Sequence, residues 1–292
     1  MLFRVFRVIS TSVSRLPLPV LYLISDLLRP VIQYVIRYRR QVIMENLQNS
    51  FPEKSPGEIR RIMSRFYKNL TDITLEVIKL ERISPEELTD RFKFVGMEHL
   101  ENSFSRKRSV IVAVGHCGNW EWMGTALGLR SPAKFYALVK PLSDINFNKY
   151  MEKLRNRLNP DCTIPFKHAY RYMLRHKEDH LSINVIIADQ TPAFDHVQYW
   201  QEFLHQETPF FLGVEKLARS LDFDVYYTDI SRTGRGRYTC EISLISDDPL
   251  NNSPHEIIEG YIRLLETSVS RDPDNWLWSH RRWKFKRQLP GI

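Results

Sequence analysis

Two side chains able to move a proton stand five residues apart, His116 and Glu121, in the segment Ser109-VIVAVGHCGNWEW. An imidazole that titrates near neutrality can take a proton from a hydroxyl. A carboxylate bonded to its other ring nitrogen fixes the tautomer and stabilises the imidazolium that forms. The surroundings suit that use. The apolar run Val110 to Val114 stops at Gly115, which places His116 at the carboxyl end of a buried strand, the edge where open α/β sheets bind ligands. Asn119 has the form of an N-cap for a helix carrying Glu121, and the first amides of that helix could serve a developing oxyanion. A His-x₄-Glu spacing also arises by chance, so a structural histidine beside a surface glutamate remains the alternative. Cys117 is a competing thiol nucleophile, but adjacent residues diverge in direction and no second base stands near it.

A second polar cluster follows another apolar run, Ile183-NVIIA-Asp189-Gln190-Thr-Pro192. If its strand runs parallel to the first, Asp189 and Gln190 reach the same sheet edge as His116. There Asp189 could orient a donor or bind acceptor hydroxyls; the alternative is a turn-forming Asp before proline. Between the clusters lie Lys140, Lys149, Lys153, Arg155 and Arg157, enough cations to hold phosphates. The closing run Trp276-LWSHRRWKFKR alternates aromatics with cations, among them Arg281 and Lys284. It could meet phosphate at a membrane interface or stack on single-stranded nucleic acid. His176 and His180 have metal-chelating spacing, but in the charged run RHKEDH they read better as a solvated helix end.

The elements that must position these groups follow from hydrophobic period and punctuation. Ser55-Pro-Gly-Glu58 has the form of a capping box, and Ile59, Ile62, Met63, Phe66, Leu70, Ile73, Val77 and Leu80 recur at three and four residues. A long amphipathic helix is expected there. Strands are expected at 109–114, 135–139 and 183–188, with helices at about 120–129, 146–157 and 166–178 between them. That alternation predicts an α/β fold with a mixed, largely parallel sheet covered by helices. Residues 225–230 and 238–245 flank SRTGRGR and read as an antiparallel hairpin, and helices are expected at about 209–220 and 254–270. No linker divides the 292 residues, so residues 46–292 are expected to form one catalytic domain behind an N-terminal segment, 1–45.

Residues 1–40 carry seven Arg and one acid, Asp26, and residues 280–287 carry five Lys or Arg and none. Of the formal charge of +8, the body between them therefore holds −3. Leu2, Phe6, Ile9, Val13 and Leu16 share one side of a helical wheel and Arg4, Arg7, Thr11 and Arg15 the other, a pattern suited to an in-plane interfacial helix. Pro17 and Pro19 interrupt it before a second apolar stretch, Val31 to Ile36. The longest uncharged run, Leu16 to Ser25, is too short for a conventional span, and no signal-type cleavage site follows. Glycine-rich nucleotide loops, GxSxG and HExxH are missing, and three dispersed cysteines make neither a disulfide framework nor a CxxC site. No cofactor or metal is expected. A non-catalytic basic module for membranes or RNA is the rival from another class, and a steep salt slope would reveal it.

Taken together the segments resemble the lipid A biosynthesis acyltransferases, the lauroyl/myristoyl acyltransferase family. ENLQNSFPEKS is similar to the family's Asn-Leu…Phe-Pro region, VGHCGNWEW to its His-x₄-Glu/Asp block, DQTP to its Asp-Gln block and WLWSHRRWK to its closing block, in the family's order and over nearly the whole chain. The resemblance implies a glycerolipid-acyltransferase-like fold. It also implies transfer of a fatty acyl chain from an acyl carrier protein to a hydroxyl of a lipid A precursor, at the cytoplasmic face of the inner membrane. His116 would be the general base and Glu121 its partner, with no covalent intermediate and no nucleic acid involved. Asn119, Arg155, Asp189, Gln190, Arg281 and Lys284 would bind substrates, Arg155 by approximate spacing on the helix after the catalytic block. The family's Phe-Phe-Gly segment is only approximated by Phe203-Leu-His205 and Thr208-Pro-Phe-Phe-Leu-Gly213, and Asn146 stands where an acid is common. Those departures leave open the acceptor, the acyl length and a coenzyme A donor.

Overall fold

The computed structural model describes residues 2–194 and 197–287. Its centre is a seven-stranded sheet in the order β1-β9-β8-β2-β5-β3-β4. These are β1 (Phe92–Val95), β2 (Val110–Val114), β3 (Lys134–Val139), β4 (Thr163–Pro165), β5 (Ser182–Ile187), β8 (Asp224–Gly234) and β9 (Arg237–Ser246); β6 (Tyr199–Phe203) and β7 (Gln206–Phe210) form a separate hairpin. The strands from β8 to β4 all run parallel, whereas β9 and β1 run the other way. The fold is thus α/β with a mixed, largely parallel sheet.

Crossover helices cover both faces: α7 (Trp120–Arg130) and α8 (Ile145–Asn156) on one, and α9 (Phe166–His176), α10 (Gly213–Leu221) and α11 (Glu256–Arg271) on the other. The central strand shows why the sequence reads as a continuous apolar run. Ile111 and Ala113 pack into one core and Val110, Val112 and Val114 into the other, every one fully buried. Each such side chain stabilises the fold by about 1.5–3 kcal/mol relative to exposure, so a charge at Val112 would break the sheet at its middle.

The long helix is α4 (Pro56–Lys79), and its capping box is present: Ser55 Oγ accepts from Glu58 N, and Glu58 Oε2 accepts from Ser55 N at 2.9 Å. Its second half departs from the simple amphipathic pattern. Asp72 and Glu76 are fully buried while Ile73 and Val77 are only partly so. The buried acids are compensated: Asp72 meets Arg232 and Arg235 from the β8–β9 turn, and Glu76 accepts from Tyr22, Tyr238 and Asn119. The Gly-Arg-Gly of that turn is accordingly a hairpin turn, with Gly236 at φ +63°.

Ahead of α4 come α1 (Leu2–Val13), α2 (Leu18–Pro30), a π-helical turn (Val31–Val35) and α3 (Arg40–Ser50). Residues 45 and 46 both lie within α3; the break in the chain falls before it, where Arg37 and Arg39 take left-handed backbone. Helix α1 ends at Val13, Pro17 is the N-cap residue of α2, and Pro19 sits in the first turn of α2, where its missing N–H costs nothing, so it does not interrupt that helix. Leu18–Val35 is long and apolar enough to cross a membrane by length and composition, a stretch that counting only uncharged residues cut short at Asp26. Its inner side is docked: Leu18 and Leu21 are buried in the core, Ser25 Oγ meets Asp72 at 2.6 Å and Tyr22 meets Glu76 at 3.0 Å. In α1 likewise Ser10 and Ser14 are buried, whereas Val5, Val8 and Ile9 are more than half exposed. The side of α1 expected at an interface does not face outward: Phe6, Val13 and Leu16, with Phe3, pack against the core, while Val5, Val8 and Ile9 on α1 and Leu23, Leu27 and Leu28 on α2 stay exposed.

The chain between α4 and β2 forms α5 (Pro85–Arg91), β1 and α6 (Met97–Ser105), and the β6–β7 hairpin occupies residues where a helix from about 209 was expected; that helix begins at Gly213.

Candidate active site

Strands β2 and β5 are parallel neighbours in the register Val114↔Ile187, with Ala188 N donating to Val114 O at 3.1 Å. Two residues further along each strand stand His116 and Asp189, so the pairing brings them level at the carboxyl edge. His116 Nδ1 lies 2.6 Å from Asp189 Oδ1, and the His116 backbone N–H donates to Asp189 Oδ2 at 2.8 Å. Trp276 Nε1 donates to the same Oδ2 at 2.6 Å. Burial acts to raise the Asp189 pKa, but the charge of His116 and these hydrogen bonds outweigh it and hold the carboxyl down to about 2. Asp189 is 2% exposed and His116 15%, so the pair is inside with one edge of the ring open.

The carboxylate bonded to the imidazole is therefore Asp189. Glu121, expected in that place, turns to Arg155 of α8, with Nε on Oε2 at 2.8 Å and Nη2 on Oε1 at 2.5 Å. The reason is directional. Asn119 caps α7 by accepting from Trp122 N at 3.0 Å, which sends Glu121, one turn in, towards α8 rather than back to the loop. Burial pushes the Glu121 pKa up, but Arg155 and then His116 prevail, leaving it below its ordinary value. Glu121 thus acts on the imidazole through its field, not by a hydrogen bond. Trp120 sets its ring edge-on to His116, centroids 4.8 Å apart.

The loop between β2 and α7 is pinned from below. Gly118 has φ +55°, and an added Cβ would meet Ile230 at 2.8 Å, so this turn requires glycine. Gly118 N donates to Asn275 O, and Leu277 N to His116 O at 3.1 Å. Asn46 of α3 fixes this closing segment in turn by donating to Trp278 O and His280 O, both at 2.9 Å. Asn119 Nδ2 donates to Glu76 Oε2 at 2.9 Å, which ties the α7 cap to α4.

Gln190 stands beside the open ring edge, its Nε2 3.3 Å from His116 Nε2. Among the described residues Arg281 and Lys284 make no side-chain bond to His116, Glu121 or Asp189. Both are exposed, Arg281 offering Thr191 only its carbonyl and Lys284 lying over Phe285 at 4.6 Å. The closing run is not an interfacial strip: Trp276 and Trp278 are buried under the site, and Arg282 is 1% exposed. Arg282 Nη2 donates to Pro209 O at 2.8 Å, its guanidinium lies over Phe210, and burial brings its pKa down to about 10. Trp276, Trp120, Glu76 and Arg282 were not singled out in sequence as site residues, and only the Trp276 block gave any signal.

Cys117 is buried and free, and burial raises its pKa well above the ordinary thiol value, so it is an inert thiol. His176 pairs with Asp179 and His180 with the Tyr136 hydroxyl. Among the described residues no group of three or more His, Cys, Asp or Glu could hold a metal. A narrow cleft of about 40 Å³ adjoins the site, bounded by Trp120, Glu121, Gly124, Phe135, Arg155 and Ile187, and its lining is mainly apolar.

A buried His–Asp pair at the carboxyl edge of a parallel sheet, with one imidazole nitrogen facing out beside an apolar cleft, has the arrangement that taking a proton from a hydroxyl requires. The chain belongs to the bacterial lipid A biosynthesis acyltransferase family, whose model matches residues 4–285. Acyltransferase activity goes with that family. No individual curated protein matches the chain.

Proposed function

We propose that this protein transfers a fatty acyl chain from an acyl carrier protein thioester to a hydroxyl of a lipid A precursor. The observation that carries the reading is the 2.6 Å contact between His116 Nδ1 and an ionised Asp189, which leaves Nε2 as the open base. The acceptor hydroxyl gives its proton to Nε2 while its oxygen attacks the thioester carbonyl. The C–S bond then breaks, and the leaving thiolate takes that proton back from the imidazolium. No bond to the protein forms. Asp189 fixes the Nδ1–H tautomer and, together with the field of Glu121, stabilises the imidazolium. Glu121 and Arg155 hold each other at the cleft mouth, where the donor's hydrocarbon can lie against apolar walls. Asn119 positions the first turn of α7, and Gln190 orients the acceptor near Nε2.

The protein is read as working from the cytoplasmic face of the inner membrane. The exposed Val5, Val8 and Ile9 of α1 and Leu23, Leu27 and Leu28 of α2 support an in-plane attachment, and the docking of α2 on Asp72 and Glu76 argues against its leaving the body to cross the bilayer.

Purified protein is incubated with acyl-loaded carrier protein and a tetra-acylated lipid A precursor, and the lipid is weighed by mass spectrometry. The mass of one added acyl chain with wild type, absent with His116→Ala, is the expected result. Product from both would remove His116 as base. Product only with an acyl coenzyme A, or only with a different lipid alcohol, would replace the donor or the acceptor.

A further inference from the structure

A second pocket, of about 260 Å³, opens between α1, the end of α4 and α8, and shares no residue with the cleft beside Glu121. Arg7, Arg82, Lys153 and Arg157 line it with Thr11 and a single carboxylate, Glu81. That carboxylate is already occupied: it accepts from Arg7, Ser10, Thr11 and Tyr150. Among the described residues the side chains of Arg82 and Lys153 have neither a hydrogen bond nor an ion pair, and Arg157 makes one bond, to the carbonyl of Ile83. Burial first, and then the charge of Arg82, lower the Arg157 pKa, so Arg82 and Arg157 repel one another here. An anion placed among them removes that repulsion, and the guanidinium forks and ammonium suit phosphate.

Two of the same helices, α1 and α8, also carry exposed apolar side chains. Val5, Val8 and Ile9 lie on the outer side of α1, and Ile145 and Phe147 at the start of α8, with Phe147 against Phe6 at 5.7 Å. A molecule joining a phosphate to hydrocarbon fits both parts. We propose that this pocket binds the phosphate ester of a lipid, the chains lying along α1 and the start of α8. The inference rests on the membrane reading above but concerns a site distinct from His116. The phosphate could belong to the surrounding phospholipid or to the glycolipid acceptor.

The full chain is tested as wild type and as Arg82→Gln/Lys153→Gln, which removes two side chains without partners. Arg60→Gln/Arg61→Gln serves as control; it deletes the same charge from the exposed start of α4, about 30 Å away along the helix. Flotation with phosphatidylcholine vesicles, with and without phosphatidylglycerol, measures preference for anionic lipid. Acyl transfer in uncharged micelles measures KM for acceptors with and without their phosphates. The pocket variant is expected to lose its preference for phosphatidylglycerol on the order of tenfold or more, with the control near wild type. A loss confined to vesicles assigns the site to phospholipid, and a raised KM confined to the phosphorylated acceptor assigns it to the acceptor. Equal losses in both variants, or no change in either measurement, would overturn the site. If wild type binds neither vesicle the membrane reading fails, and the micelle KM still decides the pocket.

Discussion

Replacing Asp189 by Asn should silence the protein without unfolding it, and the hydrogen bonds show why. Oδ2 of Asp189 accepts two donors, the His116 backbone N–H at 2.8 Å and Trp276 Nε1 at 2.6 Å, while Oδ1 accepts one, from His116 Nδ1. An Asn amide will put its oxygen where two donors converge, since the flipped amide would set NH₂ against both. Its NH₂ then faces Nδ1, which must become an acceptor, and the ring proton moves to Nε2. The base nitrogen is thereby blocked, and the imidazolium loses its counter-charge. In a Ser-His-Asp triad the equivalent change costs about 10⁴ in kcat, so a fall of about 10³–10⁴ is expected here, or about 4–5.5 kcal/mol of transition-state stabilisation. KM should move little. Unfolding in urea should shift by only about 1–2 kcal/mol, one charged hydrogen bond having become a neutral contact. The acyl-transfer assay gives kcat, and ¹⁵N NMR of the histidine ring gives the tautomer. Activity within tenfold of wild type in a folded Asp189→Asn protein would refute the assignment, and an unchanged tautomer would refute the reason for it.

Arg155→Ala leaves Glu121 as a buried charge without its partner and should destabilise the fold by about 3 kcal/mol, while Arg155→Met/Glu121→Gln recovers most of that; urea unfolding of the three proteins decides it. The depressed Asp189 pKa carries its own pH signature. The folded value of about 2 lies below the ordinary 3.8, so the ionised form stabilises the fold above pH about 5, and about 2 kcal/mol is lost progressively as pH falls through 3.8 towards 2. Acid unfolding of wild type should show this contribution and Asp189→Asn should lack it. Asn119→Ala removes the α7 cap and a partner of Glu76, and should cost about 1–2 kcal/mol in a thermal melt. Cys117→Ala should keep activity within a few-fold, and iodoacetamide should leave native wild type active; inactivation that Cys117→Ala prevents would return the thiol to consideration.

The inner sides of α1 and α2 combine core-packed Phe6, Val13, Leu18 and Leu21 with serines and a tyrosine tied to Asp72, Glu76 and Glu81, while Val5, Val8, Ile9, Leu23 and Leu27 stay exposed.

Much was legible in the sequence because it is local. The capping box at Ser55, the cap at Asn119, the all-apolar strands and the strand–His116 junction depend on neighbours a few residues away, and they formed as the residue types dictate. The family blocks were legible for the same reason, being short and ordered. What the sequence could not decide was which carboxylate meets the imidazole. Glu121 is five residues from His116 and Asp189 seventy-three, yet strand register makes the distant one adjacent, and helix direction turns the near one towards Arg155. Nor could spacing tell that Arg282 goes inside while Arg281 and Lys284 stay out, or that Asp72 and Glu76 displace Ile73 and Val77 from the core. Burial of a charge depends on partners brought from elsewhere in the chain, here β8, β9 and α2, and only the tertiary structure supplies them.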